Sequence, residues 1–333
     1  VGRLRLATRA KAAQELHDIA DRFRFLYGAE FAPSERTRAL EARCRDYWEK
    51  RELIVGRLGT ELEPEVEQRI QVDLLDLAVL GTDLRVRLAP AGQQAAAREE
   101  ALRVLAQAKA LFGPSTVLYR ERQVRAEALG LTGMAREAER RGSERPPQTA
   151  WEHYALGRSL LRSGKVGEAA ASFERALELQ PHGLWFNFYQ GICCYRLGRY
   201  EDAALAFTVC TTLAPEVAGC YFNRALAFAR RGRSDLALLD FDHALRLDAN
   251  LADAALNRGI LHFREKRFAP AKADLERALE SGADPGLVHY HLARVCLALE
   301  DRAAALAHLE QSLQHNAGSR EARDLREELR KRW

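Results

Sequence analysis

Long apolar runs are missing from this 333-residue chain. The nearest approach, Leu74 to Leu88, carries Asp76, Asp83, Arg85 and Arg87, well short of the roughly 18 apolar residues a membrane span needs. Membrane insertion is therefore not expected. A dominant charge is missing too. Against 47 Asp and Glu stand 51 Lys and Arg, a formal +4, too slight on a chain of this length to imply nucleic acid or a membrane surface as partner. Strand-like alternation is scarce, and with 47% hydrophobic residues this argues for an all-α protein with ample core material. No signal peptide is recognisable. The chain opens on Val1 rather than methionine and runs almost at once into a helical pattern, which leads us to expect a segment of a longer protein. Cysteines number six, and Cys193, Cys194, Cys210 and Cys296 fall where a small hydrophobe is wanted. That usage suits a reducing cytoplasm better than a disulfide framework.

Catalytic motifs are equally wanting. A kinase needs a Gly-rich phosphate loop, a strand lysine, an His-Arg-Asp loop and an Asp-Phe-Gly, and none is present. Asp240-Phe241-Asp242 lacks the glycine. Gly157 to Lys165 imitates a P-loop, but six residues rather than four separate the glycines and Val166 stands in place of Ser or Thr. His289 and His291, His308 and Glu310, and Cys193 and Cys194 are one or two apart on helices and so diverge, whereas chelating pairs sit three or four apart. The sequence therefore predicts no catalytic residue, metal ligand or cofactor, and no enzyme in this chain.

What is present is a period of 34 residues, returning five times from Ala150. Units start at Ala150, Leu184, Ala218, Ala252 and Gly286. Their eighth position is small: Gly157, Gly191, Ala225, Gly259 and Ala293. Their twentieth is alanine throughout, the twenty-fourth is Phe173, Phe207, Phe241, Leu275 or Leu309, and the twenty-seventh is small again. Small residues let helices cross closely, and the large apolar ones fill the space between. Gly164, Gly198 and Gly232 close the first helix of three units, and Pro181 and Pro215 stop the second helix of two. This pattern resembles the tetratricopeptide repeat. Histidine, Asn187, Tyr221 or Ala255 stands where that family favours tryptophan, a mild departure. The resemblance implies a superhelical solenoid of antiparallel helix pairs, with repeats at 150–183, 184–217, 218–251, 252–285 and 286–319.

Before the array, residues 1–142 read as a helical region with degenerate repeats, and 143–149, with Pro146-Pro147, as a linker. Helices are expected from Ala7 to Tyr27, ended by Gly28, from Ser34 through Leu58, and from Pro64 to Leu88. Further ones are expected around Ala101 to Ala108, from Ser115 to Leu129, and onward to Arg141. After the array, 319–333 reads as a capping helix with Ala322, Leu325 and Leu329 on its inner stripe. The phrases "ADRFRFLYG" (20–28), "ARCRDYWEKR" (42–51), "DLLDLAVLGTDLRVRLAP" (73–90) and "TAWEHYALGRSLLRSGK" (149–165) resemble the region following the catalytic domain in large bacterial serine/threonine kinases with repeat tails. That resemblance implies a regulatory or substrate-docking tail whose catalytic domain lies outside this chain.

The remaining candidate for function is a surface. In arrays of this family the first helices line a concave groove that takes a peptide or partner segment, and the sixth position often points into it. Asn223 and Asn257 hold that position, with Tyr189 and His291 at the equivalent places in the second and fifth repeats. An asparagine amide can serve a peptide backbone, or bond within its own repeat. A ladder of arginines, Arg162, Arg196, Arg230 and Arg264, occupies the thirteenth position, with Lys165, Arg199, Arg233 and Arg267 three residues on. It reads either as a basic lip for an acidic or phosphorylated segment, or as cations complementing helix C-termini. The basic partners of a chaperone-tail clamp are not in place, so a protein or peptide scaffold of another kind is expected.

Overall fold

The computed structural model describes residues 2–26, 35–55 and 62–331. Among them every regular element is a helix, and the chain divides into two compact units, 1–189 and 190–333. The first holds α1 (Gly2–Leu26), α2 (Glu35–Glu49), α3 (Arg51–Ile54), α4 (Pro64–Asp76), α5 (Thr82–Leu88), α6 (Gln94–Phe112), α7 (Thr116–Ala128), α8 (Thr132–Ser143), α9 (Ala150–Arg162) and α10 (Val166–Leu179). The boundary falls inside α11 (Leu184–Arg196). The second unit holds α12 (Tyr200–Leu213), α13 (Ala218–Arg230), α14 (Ser234–Leu247), α15 (Ala252–Arg264), α16 (Phe268–Glu280), α17 (Pro285–Ala298), α18 (Arg302–His315) and α19 (Arg320–Lys331). The expected stops at Tyr27 and Gly28, the cap at Ser34 and the helix end at Leu58 lie outside the described residues.

Two expected helices differ from the simple reading. The second is broken at Lys50, where the Arg51 guanidinium donates to the Trp48 carbonyl at 2.8 Å and competes for an acceptor the helix ladder would use. The third carries a π-helical turn, Leu77–Gly81, between α4 and α5. Thr82 supports that turn, its hydroxyl donating to the carbonyls of Ala78 at 2.6 Å and Val79 at 3.1 Å. Leu74, Leu77, Leu80 and Leu84 are buried along this segment, and Leu16, Ile19 and Phe23 of α1 are buried too.

The repeats follow from side-chain volume. A Cβ added to Gly157 would lie 2.8 Å from the Phe173 ring, and one added to Gly191 would lie 2.7 Å from the Phe207 ring. Glycine at the eighth position therefore lets the phenylalanine of the second helix press on the backbone of the first. Thr149 and Glu152 form a reciprocal capping box that starts α9. The first helices end in a left-handed residue: Gly164, Gly198 and Gly232, then Lys266 at φ 58° and Glu300 at φ 63°.

Candidate peptide-binding face

In the first unit the inner side of the repeats is already occupied. Asp76, the last residue of α4 and fully buried, accepts from Arg24 Nε at 2.7 Å, Arg158 Nη2 at 2.7 Å and Trp151 Nε1 at 3.0 Å. Asp73, one turn earlier, takes Arg24 Nη2 at 2.7 Å and faces His17 Nδ1 at 3.0 Å. Asp21 of α1 takes Arg24 Nη1 at 2.8 Å and Trp185 Nε1 at 3.0 Å. A second cluster surrounds Asp83, which accepts from Arg125 at 2.7 Å and Arg87 at 2.8 Å and is paired with Arg162 at 3.1 Å, while Glu121 accepts from Arg162 and Arg125. Burial alone would raise these carboxyls. The surrounding guanidiniums outweigh it, lowering Asp76 and holding Asp83 down at about 2.

Two of the sequence candidates are absorbed here. Tyr189 is 1% exposed, and its hydroxyl donates to the Arg24 carbonyl at 2.6 Å, so it belongs to a packed interior rather than an open groove. Arg162, the first rung of the ladder, is an internal ion-pair partner of Asp83 and Glu121. Sequence reading missed these networks because the pairs that join different helices lie 41 to 165 positions apart.

In the second unit the first helices α13, α15 and α17 carry the remaining candidates. Asn223 Nδ2 donates to the Gly219 carbonyl at 2.7 Å, and Asn257 Nδ2 to Asp253 at 2.8 Å. Each bond runs back one turn of its own helix and uses one of the two amide hydrogens; the side-chain carbonyl accepts nothing among the described residues. The arginines that follow are structural. Arg224 grips both oxygens of Asp240, at 2.7 and 2.8 Å, and reaches Thr211 at 2.9 Å. Arg258 grips Asp274 in the same two-pronged way and reaches Asp242 at 2.6 Å. The signal for this clamp was present as arginine and aspartate 16 residues apart in two consecutive repeats.

The same three helices carry half-buried apolar residues that pack against the core: Phe222 and Leu226 on α13, Ile260 and Phe263 on α15, Tyr290 on α17. The Arg294 guanidinium sits 4.6 Å from the Phe263 ring centre and 5.8 Å from that of Tyr290, a cation shared between two aromatic faces. His291 lies beside Tyr290 with ring centres 5.3 Å apart. Burial, with Arg294 and Arg264 nearby, pushes its pKa down to about 4, so it is a neutral donor and acceptor near pH 7. The other rungs are unequal. Arg230 donates to the Tyr200 hydroxyl at 2.8 Å and covers that ring, whereas Arg196 and Arg264 are exposed with no hydrogen bond or ion pair among the described residues. In the second ladder Lys165, Arg199 and Arg233 pair with Glu168, Asp202 and Asp235 of the following helix turn.

Burial raises the thiols of Cys44, Cys193 and Cys296, with Cys193 pushed up to about 12, which leaves them neutral core groups. Among the described residues no group of three or more potential ligands could hold a metal, and no helix is long and apolar enough to cross a membrane.

Residues 154–218 match the family model described as tetratricopeptide repeat. No curated protein sequence matches the chain significantly. Among solved structures, PilF of Pseudomonas aeruginosa is similar at 22% identity, over 69% of this chain and 99% of that one, with a TM-score of 0.51. A chain of the APC/C hetero-tetramer Cut9–Hcn1 aligns at 16% identity over 86% of this chain and 59% of its own, with a TM-score of 0.56. YrrB, described as a TPR protein with an unusual peptide-binding site, aligns at 17% identity over 54% of this chain and 92% of its own, with a TM-score of 0.46. At such identities the likeness is one of fold. The protein is all-α, built of antiparallel helix pairs of the tetratricopeptide-repeat type.

Proposed function

We propose that the protein is a non-catalytic scaffold that binds an extended protein segment along α13, α15 and α17. The carrying observation is the set of half-buried apolar residues Phe222, Leu226, Ile260, Phe263 and Tyr290 on the three helices that also hold Asn223, Asn257 and His291, which we read as one strip. The strip supplies apolar pockets, and the amide carbonyls supply acceptors for a peptide backbone. Arg264 and Arg294 favour an acidic segment. Selecting a displayed peptide library against the full chain should enrich acidic sequences with apolar anchors. Asn223→Ala together with Asn257→Ala should weaken the enriched peptide about tenfold without lowering the melting temperature, on the scale of one or two lost neutral hydrogen bonds. An unchanged dissociation constant would remove these residues from the site.

For the setting of this scaffold we favour the docking tail of a serine/threonine kinase. Support comes from the phrases that carry the resemblance: Asp21, Arg24, Asp73, Asp76, Asp83, Trp151, Arg158 and Arg162 all lie within them and take part, with Glu121 and Arg125 outside them, in the two buried ionic clusters. The mass of the native polypeptide from its source cell tests this reading.

A further inference from the structure

Three helices of the first unit border a half-open pocket of about 160 Å³ lined by Lys109 of α6, Tyr119 and Arg122 of α7, and Glu137, Ala138 and Arg141 of α8. Tyr119 is buried. The Lys109 ammonium lies 5.5 Å from the Tyr119 ring centre. Arg141 bonds to Glu137, and Glu137 is shared with Arg140, which binds it from the outside at 2.9 and 3.1 Å. Three cations thus line the pocket against one carboxylate already engaged by two arginines.

Helix ends account for part of this arrangement. Lys109 and Arg141 stand in the last turns of α6 and α8, where a cation complements the helix dipole. Arg122 stands in the middle of α7, where the dipole offers nothing, and it has no ion pair or hydrogen bond among the described residues. A half-buried guanidinium facing two further cations, without an anion of its own, is the arrangement a bound anion would complete. The volume suits a small oxyanion. At roughly 30 Å³ per water it has room for about five waters, which is ample for a phosphate group. Donors arriving from three helices match a tetrahedral ion better than a planar carboxylate, which one guanidinium satisfies by itself.

We propose that Lys109, Arg122 and Arg141 form a binding site for a phosphate group, carried either as free phosphate or on a phosphorylated side chain. The test is isothermal titration of the full chain in phosphate-free buffer, with inorganic phosphate, a short phosphoserine peptide and its unphosphorylated form, at matched ionic strength. Wild type should bind phosphate saturably, and Arg122→Ala should weaken it by about tenfold or more, the effect of losing a charge-assisted bond. Arg196→Ala, which removes another exposed arginine, should leave it unchanged. Tighter binding of the phosphopeptide than of phosphate assigns the site to a modified protein, and equal binding assigns it to the free ion. No saturable heat up to about 20 mM phosphate, a range in which even a weak site stabilises measurably, would overturn the site. So would an equal loss in the Arg122 and Arg196 variants.

Discussion

Lys266 and Glu300 hold positive φ angles at the repeat position where Gly164, Gly198 and Gly232 stand in the earlier units. A left-handed conformation costs a residue with a Cβ about 1 kcal/mol or more relative to glycine. Lys266→Gly and Glu300→Gly should each raise stability by up to about that amount, read as an increased urea midpoint, since neither side chain makes a hydrogen bond or ion pair among the described residues that the change would remove. The conformation was legible at the three glycines and illegible at the other two, because nothing in a lysine or glutamate announces a helix end. The sixth position shows a similar limit. Its asparagines could be found by register, but an amide serves a peptide and its own helix equally well, and only the 2.7 and 2.8 Å bonds to Gly219 and Asp253 show which hydrogen is already engaged. For Tyr189 register misled, since the carbonyl it meets belongs to Arg24, 165 positions away.

Among the elements, α4 and α5 are tied to the repeats through buried charge. Asp76→Asn keeps the shape and removes the charge, leaving Arg158 buried with no carboxylate partner and Arg24 with Asp73 and Asp21 alone. Loss of one partner from a buried ionic cluster costs about 3–5 kcal/mol, so this single change should take a large share of the first unit's stability, measurable by urea denaturation. Thr82→Val should cost about 1 kcal/mol by removing the hydroxyl's bonds to the Ala78 and Val79 carbonyls of the π turn. The repeat helices could be read from spacing alone, because their neighbours are near in sequence and the same small and large residues recur. The π turn and the ionic ties could not, because they depend on partners that no local pattern specifies.

For the molecule as a whole, these groups set the response to pH. His153, His262, His289, His291 and His308 are lowered, chiefly by burial, so each stabilises the fold fully above its ordinary value near 6.5 and loses that contribution as pH falls through its folded value, about 4 for His291. Asp83, held at about 2, contributes above its ordinary value near 4 and is lost between there and 2. His17 opposes the trend. Raised by its bond to Asp73, it stabilises below about 6.5 and stops doing so as pH climbs through its folded value. Urea midpoints should therefore fall in two stages on acidification, and His291→Gln should flatten the first.

The face along α13, α15 and α17 also has a length. Three helices side by side at roughly 10 Å spacing measure about 30 Å across, including their own width. Extended chain advances about 3.3 Å per residue, so the strip is a ruler of about nine residues. Affinity should climb stepwise as a peptide grows to that size and then level off.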